Sequence, residues 1–377
     1  MKAAAASRMR LRGMIRKESL QILRDPSSIA IAFVMPVVLL LLFGYGVSLD
    51  ARHIPLAMVV EQPDATSASL VGAFRHSEYF DPQPFESIQA AQRAFDLRKV
   101  FGIVWLRNDF SKRLLSQGDA PIGVIVNGVD ANQARITEGY IQGVWQSWLL
   151  SHARSQGVEL SLPVVLEPRI WFNAAVRSRD FLVPGLIAVI MTLIGAMLTS
   201  MVVAREWERG TMEALMVTPI RIGELVAGKL IPYFVLGMGG MLLSVAMALW
   251  LFDVPLRGSF WASTAASALF MLVSLGMGLL ISVVAKNQFV AGQISIIITF
   301  LPAFILSGFI FQISSMPAAI QVITHIIPAR YYVAILQTLF LAGDIWPIIL
   351  SNSAALAVMM VIFLGLARRK MQKRLDA

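Results

Sequence analysis

Six stretches of this chain stay apolar for longer than a bilayer is thick. A helix rises about 1.5 Å per residue, so roughly 20 apolar residues cross a hydrocarbon core of about 30 Å. Runs of that order occupy Ile29–Leu49, Phe181–Ala204, Leu230–Phe252, Ser259–Ala285, Phe289–Phe311 and Ile345–Ala367. In lipid every backbone N–H and C=O must find a partner inside its own segment, which selects helices. The expected fold class is therefore a polytopic α-helical membrane protein with six transmembrane helices. Composition agrees: 57% of residues are hydrophobic and 15% charged, against about a quarter charged in soluble domains. The first run outlasts the core of a signal peptide and no A-x-A site follows it, so it reads as an uncleaved anchor.

Between the first two runs the character changes. Short apolar segments (Pro55–Val60, Gly102–Leu106, Ile122–Val126, Val164–Ile170) alternate with helical patterns (Thr66–His76, Glu86–Leu97, Asn108–Ser116, Asp130–Ser155), and Asn127-Gly128 marks a turn. That is the signature of an α/β domain. No catalytic constellation occurs in it; Glu167, Arg169 and Trp171 read as a strand and its flank. Later, Pro328 splits two helical segments, Pro317–Ile327 and Arg330–Ala342, each too short to span. They are expected to be re-entrant or interfacial, on the outer side.

Charge gives the orientation. Lys2, Arg8, Arg10, Arg12, Arg16, Lys17 and Arg24 precede the first run, and Arg368, Arg369, Lys370, Lys373 and Arg374 follow the last. The turn at Lys286 and the 204–229 segment are also basic, whereas the short opposite loops hold only Arg257 and Arg330. By the positive-inside rule both termini are cytoplasmic and the α/β domain is extracytoplasmic. The net charge of +9 then needs no nucleic acid. With no cysteine and four scattered histidines, no metal site, disulfide or cysteine nucleophile is expected.

The chain is thus expected to divide into an amphipathic interfacial helix (1–26), a first span (27–49), an α/β domain (50–178), a second span (179–204), a charged coupling segment (205–229), spans at 230–252, 259–285 and 289–311, re-entrant helices (313–344), a sixth span (345–367) and a basic tail (368–377). Leu11, Met14, Ile15 and Ile22 lie at helical spacing in the first segment, with Arg12, Arg16, Lys17 and Glu18 as its charged contacts. No Asp, Glu, Lys, Arg or His falls inside the six apolar runs as bounded above. An ion-driven carrier needs such groups, so energy is expected to enter from outside the spans. The polar residues Thr192, Thr199, Gln293 and Thr299, and the four-residue repeat Ser274, Gly278, Ser282, could line a pathway or form a dimer seam. Internal packing explains the repeat equally well.

The charged segment Ala204–Lys229 breaks the apolar pattern. Glu206, Arg209, Gly210 and Glu213 share one helical face at i, i+3, i+4 and i+7. Gly210 suits a helix end, Thr211 a cap, and Thr218-Pro219 a stop and restart. Gly223–Lys229 matches G-x-x-x-x-G-K, but Leu230 stands where a phosphate loop needs Ser or Thr and no strand precedes it. The segment is not a nucleotide site, and Lys229 reads as an interfacial anchor.

The run VVAREWERGTMEALMVTPIRIGELVAGKLIPY (202–233) resembles the signature of type-2 ABC transporter permeases of the export class, E-x-E-R-G-T-x-E-x-L…T-P…E…GK. Glu206, Glu208, Arg209, Gly210, Thr211, Glu213, Leu215, Thr218, Pro219, Glu224, Gly228 and Lys229 carry the match. Lys17–Pro26, Ser307–Pro317 and Ile326–Tyr332 are similar to the same family, in particular to its drug-export permeases from Gram-negative bacteria. The resemblance implies a bacterial inner-membrane subunit that binds no cofactor, with ATP and magnesium on two copies of a separate ATP-binding subunit. It also implies a second permease, identical or paralogous, and allows a periplasmic membrane-fusion adaptor. In that setting Glu206, Glu208, Arg209, Gly210, Thr211, Glu213, Thr218 and Pro219 would couple the ATPase to the spans. Two alternatives remain open on sequence: a transmitter that moves the outer domain without transport, and an ion-driven carrier.

Overall fold

The computed structural model describes residues 2–46, 53–117, 122–128, 131–157, 177–212 and 217–371. Two compact units emerge, Met1–Ser48 with Arg169–Ala377, and Leu49–Pro168.

The first unit is helical. Helix α1 (Lys2–Leu23) precedes α2 (Pro26–Gly46). Numbering the helices of the second unit α3 to α6, the chain returns as α7 (Ser178–Glu208), α8 (Ile222–Trp250), α9 (Phe260–Ala285) and α10 (Gln288–Leu306). The pair α11 (Ala318–Thr324) and α12 (Pro328–Ala342) follows, bent by 86° where Pro328 opens the second helix, and α13 (Trp346–Lys370) closes the unit. Helices α2, α7, α8, α9, α10 and α13 are each long and apolar enough to cross a membrane. Helix α7 is the axis: it packs against α2, α8, α9, α10 and α12, and is buried nearly throughout. Helices α2, α10 and α13 carry exposed apolar rows such as Val38 and Leu42, Ile297 and Leu301, and Val358 and Ile362. These faces suit lipid.

Close crossings are set by glycine and proline. A Cβ on Gly278 of α9 would lie 2.2 Å from the Ala196 carbonyl of α7, so only glycine permits this approach. Pro36 and Pro302 each follow a π-turn, Ala30–Val34 and Ile296–Phe300. A proline cannot donate to the carbonyl four residues back, and the widened turn absorbs its ring. At Pro36 the released carbonyl is that of Ala32, and Gly240 of α8 packs directly on it.

The second unit is a four-stranded sheet in the order β2-β1-β3-β4, with β1 (Ile54–Val60), β2 (Phe80–Phe85) and β3 (Gly102–Leu106) parallel and β4 (Gly123–Val126) antiparallel to β3. Helices α3 (Ala65–His76), α5 (Phe110–Gln117) and α6 (Ala131–Ser155) cover one face, where Leu56, Met58, Leu70, Phe74, Val104 and Trp148 form a core. Helix α4 (Ile88–Asp96) covers the other over Ala57, Val59, Ala91 and Ile103. Strand β1 is buried on both faces, as a central parallel strand must be. Strand β2 is absent from the sequence reading because FDPQPF holds two prolines. Neither can donate a ladder hydrogen bond, which suits the sheet edge it occupies. The expected strand Val164–Ile170 lies outside the described residues.

Candidate functional site

The site lies at the end of the membrane unit that carries α1. Two long helices, α7 and α8, run past the apolar stretches that announce them, so the charged segment is not a free-standing insert. Ala204–Glu208 is the last turn of α7, and Ile222–Lys229 the first two turns of α8. Helix α7 stops because Gly210 takes a left-handed conformation, φ +64°, which glycine adopts without strain. The single helical face expected for Glu206, Arg209, Gly210 and Glu213 is therefore broken at Arg209, and Glu213 lies outside the described residues.

Glu206 is the node. Its carboxylate is almost fully buried and accepts from Lys17 Nζ of α1 at 2.5 Å, from Lys229 Nζ of α8 at 3.2 Å and from the Thr211 hydroxyl. Lys229 also donates to Glu18 Oε1 at 2.9 Å; both side chains are 1% exposed. Two lysines and two glutamates thus form a neutral cluster joining α1, α7 and α8, and Thr211 ties it to the residues that follow α7. Lys229 is not the interfacial anchor expected from sequence: a buried ammonium is tolerable only because two carboxylates hold it.

Two further clamps flank the node. Arg10 of α1 grips Glu224 of α8 bidentately, Nε to Oε2 at 3.0 Å and Nη2 to Oε1 at 2.8 Å, with Ser7 Oγ adding a bond of 2.6 Å. Glu224 also accepts from the Arg221 N–H at 3.0 Å, so it caps the start of α8. On the other side Arg205 of α7 meets Asp25 at 2.9 Å, the residue that caps α2. Burial works against ionisation of Asp25, but the Ser28 hydroxyl, the Arg205 guanidinium and the Ser27 N–H together hold its carboxyl below the usual range. Glu208 accepts from the Gln288 N–H at 2.9 Å and ties α7 to α10. Lys286, in the turn before α10, sits 5.3 Å over the Trp207 ring.

Of the residues singled out by sequence, Glu206, Thr211, Lys17 and Glu18 meet in the cluster. Glu208 and Arg209 are exposed beside it, and Thr218 and Pro219 form an exposed bend ahead of α8. Arg12 and Arg16 are exposed. Helix α1 does not give its most apolar stripe to lipid: Met14 and Ile22 are buried on the protein, with Met14 against Gly228 of α8, while Met9, Leu20 and Leu23 remain exposed. Sequence reasoning missed Arg10, Asp25, Arg205, Glu224 and Lys229 as a set. The available signal was Glu18, a carboxylate midway between Met14 and Ile22 on a buried stripe.

The proposed pathway residues are mostly structural. Thr192 and Thr199 return their hydroxyls to Ala188 O and Gly195 O, and Thr199 also reaches Leu275 O. Ser282 accepts from the N–H groups of Val203 and Ala204 at 3.0 and 2.9 Å. Ser274, Gly278 and Ser282 are buried against α7 of the same chain, so their repeat is an internal crossing and not an exposed dimer seam. Thr299 bonds Ser295 O within α10, and Gln293 is exposed.

This geometry sits within a sequence whose relatives are known. Residues 26–369 match the model of the ABC-2 family transporter proteins. The chain belongs to the ABC-2 transporter family. Across 368 residues, 97% of this chain and 98% of the relative, it is 44% identical to the probable multidrug ABC transporter permease YbhS of Escherichia coli. It is 28% identical over 362 residues to the probable multidrug permease YbhR, covering 93% and 98%, and 26% over 301 residues to the inner membrane transport permease YhhJ, covering 78% and 79%, both from the same organism. In this ABC-2 chain the family match begins at Pro26, the first residue of α2.

Proposed function

We propose that this chain is the membrane-spanning permease subunit of an ATP-driven exporter that moves drug-like or amphipathic molecules out across the bacterial inner membrane. ATP and magnesium act on a separate ATP-binding subunit, present in two copies. A second permease, identical or paralogous, completes the pathway. In this reading both termini are cytoplasmic and the α/β unit is periplasmic, where an adaptor of the membrane-fusion type can dock.

One observation carries the mechanism: a single carboxylate, Glu206, bonds α1, α8 and Thr211 beyond the end of α7 while sitting on α7 itself. A push on the exposed residues Arg209 and Thr211 reaches α7 through the chain and α8 and α1 through the cluster. Because the cluster is neutral and closed by its own partners, it can move as a body without exposing an unpaired charge. Transport by this chain then needs no ion, and the helical axis α7 carries the stroke to every helix it packs against.

The test is reconstitution of the complex in vesicles, with ATP hydrolysis and substrate efflux measured together. Glu206→Ala and Thr211→Val are expected to keep membrane insertion and basal ATP hydrolysis while cutting efflux per ATP. Glu213→Ala, in the same signature, is expected to behave alike. Full efflux in all three variants would sink the coupling role. An efflux-free complex whose α/β unit still responds to ATP would favour the transmitter reading instead.

A further inference from the structure

Beside the Glu206 cluster, facing the ends of α2, α7 and α10, lies an open cavity of about 570 Å³. Lys17, Arg24, Arg205 and Arg209 line it, against a single carboxylate, Asp25. Two of these cations are already matched: Lys17 by Glu206 and Arg205 by Asp25. Arg24 and Arg209 are exposed and make no ion pair among the described residues. The cavity therefore keeps two uncommitted guanidiniums, whose fork geometry suits a phosphate. It also looks onto the N-terminal ends of α2 and α10, whose partial positive charge adds to the field.

Gln288 is shared with a second, apolar groove of about 460 Å³ that runs along α7 and α10. Met197, Met201, Phe289 and Ile296 line it, and its one acid, Glu208, is engaged by the Gln288 N–H. A basic cavity at a helix end that shares Gln288 with an apolar groove along two spans matches one kind of molecule. We propose that the two together bind an anionic phospholipid, its phosphate between Arg24 and Arg209 and an acyl chain along Met197, Met201 and Ile296. The basic cavity recognises the headgroup and the groove distinguishes a lipid from a free anion. A lipid seated there touches α2, α7 and α10 at once and staples the charged end of the unit.

Delipidated full-length protein in neutral detergent is titrated with dioleoylphosphatidylglycerol and read by native mass spectrometry and thermal unfolding. A saturable complex with a raised melting temperature is expected. Arg24→Ala/Arg209→Ala should weaken it by about thirtyfold, the effect of two juxtamembrane basic residues. Arg368→Ala/Arg369→Ala, in the basic end of α13, should not. Dioleoylphosphatidylcholine should bind more weakly, and glycerophosphoglycerol, which has the headgroup and no acyl chain, should give no shift. Unchanged affinity in the Arg24/Arg209 variant, or an equal loss in the Arg368/Arg369 variant, overturns the site. Equal stabilisation by glycerophosphoglycerol or inorganic phosphate overturns the lipid and leaves a free anion as the occupant.

Discussion

Lys229 is 1% exposed and Lys17 is 44% exposed, yet both hold Glu206. Their exposure separates what their loss should do. Removing Lys17 leaves Glu206 with Lys229 and Thr211, and an ion pair so open to solvent contributes about 0–1 kcal/mol. Removing Lys229 takes the buried cation from Glu18 and leaves two buried carboxylates to share the half-exposed Lys17, and breaking a buried pair costs about 3–5 kcal/mol. Lys229→Met is thus expected to destabilise the membrane unit far more than Lys17→Met, read as unfolding midpoints in detergent. Glu18→Gln added to Lys229→Met should return part of the loss, since a single buried carboxylate then remains for Lys17 to balance. Equal losses from the two lysine variants would show that the cluster is not the closed, buried network described above. The five unexpected members of the site share one cause. Each is charged, and each is paired across a long stretch of chain, as Lys229 is with Glu18. Local pattern contains no record of such a partner.

At the scale of elements, hydropathy reads well where a helix is apolar along its length and fails where tertiary contacts satisfy its charges. The six apolar runs correspond to α2, α7, α8, α9, α10 and α13. The runs for α7 and α8 stop short because Glu206 and Lys229 look like solvated charges in sequence and are buried in the fold. In the α/β unit, β1 and β3 are legible from their aliphatic runs, whereas β2 is hidden by its prolines. The crossing of α7 and α9 tests the packing directly. Gly278→Val places a side chain where even a Cβ lies 2.2 Å from a backbone carbonyl and from Thr199 Oγ1. The backbone of α7 cannot yield as a flexible side chain would, so overpacking should cost at least about 1–3 kcal/mol. Gly365→Val on α13, with nothing within 4 Å of its added Cβ, should be tolerated in a membrane helix. Monodispersity and melting temperature of the two variants distinguish this crossing from generic sensitivity of spans to glycine replacement.

Across the whole molecule, the two units have separate cores. Leu56 is fully buried in the sheet core and belongs to no cluster of the helical unit. Leu56→Ala should cost the α/β unit about 2–5 kcal/mol while leaving the unfolding of the membrane unit in place. Acid should separate the units in a second way. Asp64 caps α3, and its carboxyl is held below the usual range by the Ser111 hydroxyl first and by the Ser67 N–H next. A carboxyl whose folded pKa is depressed stabilises the fold above its unfolded value, near pH 3.9, and loses that contribution as pH falls through the folded value. The transition of the α/β unit should therefore be insensitive to Asp64→Asn at the most acid pH and differ from that variant as pH rises through about 4. Hydrogen exchange read separately on α3 and on α7 checks both statements. Leu56→Ala should accelerate exchange in α3 alone, and acceleration of equal size in α7 would mean that the two cores unfold as one.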